Sequence, residues 1–282
     1  MKKKSINLYQ IIFLILVFLF IYAPIISIAI FSFNEANSLT RWSGFTFDRY
    51  IELFTDRELF NWSNPRESIV FMTLWIAVAS TFVSTVIGTL AAIALTQTKK
   101  IFRDLTMTVN NIPIVSPEII TAVSLLVLFG AMQIAPSYNT MLLAHIAFST
   151  PYVLITVYPK VKSLDPNIAD AAYDLGASPL KALIKVILPQ IKVAIIAGAA
   201  IAFTMSFDDF IISYFVAGSS GDKNISIYLY TNRLSPKPII NAFSTIILVI
   251  IGGKITYDYF KSGKKMEELE WKKVYFLCSY SH

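Results

Sequence analysis

The sequence predicts an all-α polytopic membrane protein with about six transmembrane helices. Three observations carry that expectation. Of the 282 residues, 55% are hydrophobic and only 15% are charged, and the mean hydropathy is +0.61. Apolar runs near 8–33, 69–95, 112–135, 141–158, 193–216 and 239–257 approach or exceed the ~20 helical residues that cross a ~30 Å hydrocarbon core. Lys and Arg also divide unevenly between the connecting segments. Residues 1–7, 96–111, 159–192 and 254–282 hold three, three, five and six of them, whereas 34–68, 136–140 and 217–238 hold four, none and three. The basic-rich side is the cytoplasmic one, so both termini are expected in the cytoplasm.

The first run follows Met1-Lys2-Lys3-Lys4. It exceeds a signal-peptide core and has no clear small-x-small cleavage site, so it reads as an uncleaved span. The third run opens with Pro113, Pro117 and Glu118, and the fifth carries Asp208 and Asp209. The sixth is shorter, its clean apolar part running from Ile239 to Ile251, with Lys254 placed to snorkel to the headgroups. The tail, 258–282, begins as a solvated charged end, and no function attaches to its final apolar letters. The net charge of +6 fits this topology and anionic lipid without invoking nucleic acid. Cys278 is the single Cys, which excludes an internal disulfide framework, and His145 and His282 are too few for a Cys/His zinc site.

Between the fourth and fifth runs lies a water-compatible stretch, residues 164–189, "LDPNIADAAYDLGASPLKALIKVILP". It predicts a helical hairpin. Asp165 is a candidate N-cap with Pro166 at N1, a first helix runs to Leu175, and Gly176 supplies its stop. Ser178 and Pro179 open a second helix, which Pro189 interrupts. Ile168, Ala171, Ala172 and Leu175 form a small apolar face suited to docking in a partner's groove. An amphipathic connector lying on the membrane is the other reading.

The spacing Asp170-Ala171-Ala172-x3-Gly176-x9-Val186-x-Leu188-Pro189 resembles the EAA motif, E-A-A-x3-G-x9-I-x-L-P, of the membrane subunits of bacterial ABC importers. Asp170 stands where Glu is usual and Val186 where Ile is usual. The stretches "FSFNEAN", "WSGFTFDRYIELF", "SPEIITAVSLLVLF" and "SFDDFIISYFVAG" extend the similarity to the spermidine/putrescine permease subfamily, C-type subunit, over roughly residues 8–251. That resemblance implies a type I (MetI-like) ABC importer permease fold, one transmembrane permease domain over 1–282, in a bacterial cell membrane. It assigns the hairpin the role of coupling helix, with Asp170, Ala171, Ala172, Gly176, Leu188 and Pro189 meeting a separate ATPase. The implied partners are two copies of an ABC ATPase subunit, a second homologous permease and an extracytoplasmic polyamine-binding protein. No catalytic residue and no cofactor are expected on this chain, ATP and Mg being used by the ATPase. The sequence agrees in lacking a G-x4-G-K-[S/T] phosphate loop, since Gly253-Lys254 and Gly263-Lys264 lack the upstream Gly and the following hydroxyl. A permease for another small solute and an ion-coupled secondary transporter, which would need its own coupling-ion site, are the alternatives; a channel or receptor is a third, and the hairpin signature weighs against it.

Intramembrane carboxylates are functional candidates because each is costly unless partnered. Asp208 and Asp209 lie ~22–24 Å along the fifth span, in its outer part, beside Phe207, Phe210 and Tyr214. Aromatic faces and carboxylates together suit alkylammonium groups, which makes these five residues a candidate substrate path. Adjacent helical positions diverge by ~100°, so one Asp is expected to face the path, with Asp208 favoured, and the other a neighbouring helix. The pair also fits a plain interfacial position. Glu118 fits either a gate or a carboxylate at a helix N-terminus.

Overall fold

The computed structural model describes residues 8–36, 38, 41–217, 222–232, 237–254, 256, 257 and 259. The basic start and the tail from 258, Tyr259 excepted, lie outside the described residues, as does the exact end of the sixth span. In chain order the helices are α1 (Leu8–Phe31), α2 (Asp48–Thr55), α3 (Ile69–Gln97), α4 (Lys100–Val115), α5 (Glu118–Ala131) and α6 (Tyr138–Lys162). There follow α7 (Ile168–Asp174), α8 (Pro179–Ala182), α9 (Leu188–Phe207), α10 (Ile211–Ala217), α11 (Ile225–Thr231) and α12 (Ile239–Lys254). A lone antiparallel bridge between Asn34 and Phe45 is the β pairing among the described residues.

Four helices are long and apolar enough to cross a membrane: α1, α3, α6 and the continuous Pro179–Phe207. The bent pair α4 and α5 brings the number to five when it is taken as one span. The expected sixth span corresponds to α12, a shorter apolar helix of Ile239–Lys254 that rises only about 24 Å.

Two spans differ from the sequence expectation. The run 112–135 is not one straight helix, because α4 and α5 meet at 106°. Pro117 withholds an N–H and forces Ser116 to extended backbone (φ −69°, ψ 143°), which ends α4. The run 193–216 is likewise interrupted, since Asp208 to Phe210 leave the helix between α9 and α10. There Asp209 turns its carboxylate onto the N–H groups of Ile212 and Ser213, at 3.2 and 2.7 Å, capping α10 with a side chain.

The chain forms two compact units, residues 57–233 and residues 1–56 with 234–282. In the second of these, α1 has no buried side chain, as fits a helix made to meet lipid or other apolar helices. Asn34 organises the loop after it, donating to the carbonyls of Ser38 and Arg41 and accepting from the Ser43 amide. Phe33 stacks on Phe45 and meets Phe47 edge-on.

The first unit is built on α3, α6 and α9, which pack mutually. Small residues set their distance. A Cβ added at Gly88 would lie 2.7 Å from Val153 Cβ, and one at Gly198 would lie 3.3 Å from Val153 Cγ1. Backbones that approach this closely gain dispersion contact, the main attraction between helices in lipid. Ser137 and Thr140 form a capping box at the start of α6, and Asp222 accepts the Tyr138 amide at 2.9 Å.

Candidate functional site

The hairpin is the first feature that stands out from this frame. Asp165 does not cap a helix directly. Its Oδ1 accepts the Asn167 amide at 2.9 Å in a local turn, and α7 begins at Ile168 with Asn167 as its cap residue. At the other end, Gly176 has φ +78°, its amide donates to Tyr173 and the Ala177 amide to Ala172. These are the paired bonds of a Schellman stop, which requires the left-handed region. The expected small apolar face divides. Ala172 is buried against the following helix, whereas Asp170 and Ala171 are exposed and Leu175 is 89% exposed.

Ser178 accepts the Lys181 amide and Pro179 opens α8. Pro189 does not end this helix. A π turn over Leu183–Ile187, closed by the Leu188 amide on the Leu183 carbonyl, absorbs the missing N–H and the ring. The result is one helix from Pro179 to Phe207, about 43 Å long. Leu188 is half-buried and Pro189 exposed on it. One rod therefore joins the hairpin to the Asp208–Asp209 break.

At the break the two aspartates diverge. Asp208 is exposed, and its carboxylate makes no hydrogen bond among the described residues, while its carbonyl accepts from Ser226 Oγ at 3.2 Å. Asp209 is buried to 1% side-chain exposure and lies 3.3 Å from His145 Nε2. Glu118, in the first turn of α5, is half-buried within electrostatic reach of both aspartates, with Tyr152 of α6 near it. Because α9 stops here, the carbonyls of Met205, Ser206 and Phe207 receive no backbone donor among the described residues. A helix C-terminus carries roughly −0.5 charge, which favours a cation.

The aromatic residues also separate. Phe207 stacks on Phe203 with centroids 5.6 Å apart, whereas Phe210 and Tyr214 group with Tyr230, at 4.5 and 5.8 Å from its ring. Among the described residues no group of three His, Cys, Asp or Glu side chains is arranged to hold a metal ion.

Sequence reasoning missed His145, Ser206, Ser213, Asn224 and Tyr230. A signal for the first was present: a His in the middle of an apolar run is an intramembrane titratable group. The serines have no such mark, since small hydroxyls are ordinary in packed membrane helices.

The description "binding-protein-dependent transport system inner membrane component" belongs to a family that matches residues 84–263. The chain is 36% identical over 252 residues to the putrescine transport system permease protein PotI of Escherichia coli, covering 86% of this chain and 87% of that protein. It is 34% identical over 239 residues to the spermidine/putrescine transport system permease protein PotC of the same organism, covering 84% and 88%. A similar relation holds to PotC of Haemophilus influenzae, at 33% over 238 residues, covering 84% and 90%.

Proposed function

This chain belongs to the family of binding-protein-dependent transport system inner membrane components, and on that premise we propose that it is the polyamine-translocating permease subunit of an ATP-driven importer. It works as one multi-pass permease domain of a bacterial cell membrane, with both termini cytoplasmic, beside a second homologous permease. Two ATPase subunits, which use ATP and Mg, sit at its cytoplasmic face, and an extracytoplasmic binding protein delivers spermidine or putrescine.

The observation that supports this best is the Pro179–Phe207 rod. Its cytoplasmic end continues from a capped hairpin whose Asp170, Ala171 and Leu175 are turned to solvent, free to meet an ATPase groove. Its outer end stops at a carboxylate without a hydrogen bond and at carbonyls without a backbone donor among the described residues. ATP-driven movement of the hairpin is thereby carried to the substrate by a single stiff element.

A polyamine carries ammonium groups separated by methylenes. Asp208 and Glu118 offset the desolvation of the ammonium groups, and the Phe210, Tyr214 and Tyr230 faces hold the stem. Asp209, saturated by its own chain, belongs to the frame of the path. The test is uptake of labelled putrescine by the full transporter carrying Asp208→Asn or Glu118→Gln. Loss of uptake at normal membrane levels supports the path assignment, and wild-type uptake in both variants removes it.

A further inference from the structure

We propose that His145 is a positioning residue that staples α9 to α10 across the break and so fixes where Asp208 stands in the substrate path, an inference that rests on the path assignment above. The imidazole is 2% exposed and touches both sides of the break. Nδ1 lies 2.5 Å from Ser206 Oγ, in the last turn of α9. Nε2 lies 2.9 Å from Ser213 Oγ, in the first turn of α10, and 3.3 Å from Asp209 Oδ2.

Hydrogen counting fixes the direction of the bond between Nε2 and Ser213. Ser213 Oγ has one hydrogen, which it donates to Asp209 Oδ2 at 2.7 Å. It already accepts from Asn224 Nδ2 at 2.8 Å. Its remaining contact, with Nε2, therefore needs a hydrogen on that nitrogen, a requirement that neutral and protonated imidazole both meet. On the far side Ser206 also accepts from Ser80 Oγ of α3 at 2.9 Å, so the staple is tied to the core of the unit. Asn224 adds a third anchor by donating to the Asp209 carbonyl at 3.0 Å.

The consequence concerns geometry at Asp208. That residue lies between the two gripped turns and has no side-chain bond of its own among the described residues. Among the described residues it is held by the chain on either side and by the Ser226 hydroxyl on its carbonyl. The staple therefore sets the separation between the Asp208 and Glu118 carboxylates, and with it the length of diamine that bridges them. A buried network of this kind acts as a unit, since removing one member leaves others unsatisfied in low dielectric.

The experiment uses the whole transporter in cells without other polyamine uptake, with His145→Gln, Ser213→Ala and Asp208→Asn. Uptake is measured for diamines of three to six methylenes, at membrane levels matched by immunoblot. His145→Gln keeps a donor on one side of the break only, and Ser213→Ala removes the hydroxyl between the imidazole and Asp209 at little change in volume. The expected result is KM raised about tenfold for the preferred diamine, as for loss of a buried bond to a charged group, with kcat nearly unchanged and the preferred chain length shifted or blurred.

A role in folding alone lowers the amount of active protein and leaves KM and the order of diamines untouched. That result, or failure of both variants to reach the membrane, overturns the proposal. Asp208→Asn separates the two claims. If it leaves uptake unchanged, the place of Asp208 in the path fails and the staple proposal with it; if it impairs uptake while the His145 and Ser213 variants keep wild-type KM and chain-length order, the staple alone fails.

Discussion

Replacing Gly176 by Val tests the hairpin at its narrowest point. The residue sits at φ +78° with no heavy atom within 4 Å of where a Cβ would be placed, so a new side chain collides with nothing and the cost is purely one of backbone conformation. For an L-residue the left-handed region costs roughly 1–2 kcal/mol, and a β-branched residue falls at the upper end or beyond. About 2 kcal/mol is a factor of some thirty in a local equilibrium. The helix it terminates, α7, has seven residues, too few to be stable unless its ends are satisfied. The two bonds of the Schellman stop, Gly176 to Tyr173 and Ala177 to Ala172, are then mostly lost and the exposed Asp170–Leu175 surface frays. Hydrogen exchange over residues 168–177 should rise about thirtyfold in Gly176→Val, with uptake and ATPase co-purification falling together while the protein still inserts. Gly176→Asn, which tolerates this region, should be the mildest substitution and Gly176→Ala intermediate. Unchanged exchange and uptake in the Val variant, or an order other than Asn, Ala, Val, would refute the reasoning.

Gly88→Ala places a methyl 2.7 Å from Val153 Cβ and 3.1 Å from the Leu154 amide nitrogen, and overpacking of this kind costs about 1–3 kcal/mol. Thermal unfolding in detergent should show a clear loss for it and a smaller one for Gly198→Ala, whose nearest neighbour is a side-chain methyl at 3.3 Å. Pro189→Ala restores an N–H and removes the reason for the π turn at Leu183–Ile187. Regularising that turn rotates α8 by about 100° relative to α9, so ATPase association should fail although all spans insert; normal co-purification would contradict the rod. For topology, a Cys introduced at Ser178 in a Cys278→Ser background should be labelled only from the cytoplasm, and one at Ser43 only from outside. Labelling from the opposite faces would reverse the orientation drawn from the Lys and Arg distribution.

The legible part of this protein is what hydrophobic length and backbone chemistry write into local sequence. Runs long enough to span, the Ser178-Pro179 helix start and the Gly176 stop depend on neighbouring residues alone, so the letters carry them. Two breaks within spans escaped, for different reasons. Pro117 announces a helix end, yet nothing local distinguishes a kink from a turn of 106°. Asp208-Asp209 looks like charge riding on a helix, and becomes a break because Asp209 caps α10 and meets His145, 64 positions away in the chain. Pro189 misled in the opposite sense, since a π turn lets the helix continue through it. The staple rests on contacts such as Ser80 to Ser206 and His145 to Ser213, which exist only once four helices have packed. Composition cannot encode that meeting.

We propose above that ATP drives a polyamine path in this chain through the hairpin. The most direct measurement is uptake of labelled putrescine into proteoliposomes holding this chain, its sister permease, the ATPase and the binding protein. Uptake should require ATP inside the compartment bearing the hairpin, persist when proton and sodium gradients are collapsed, and be lost in Asp208→Asn while ATPase binding remains. Uptake that proceeds without ATP and follows an ion gradient would contradict that proposal.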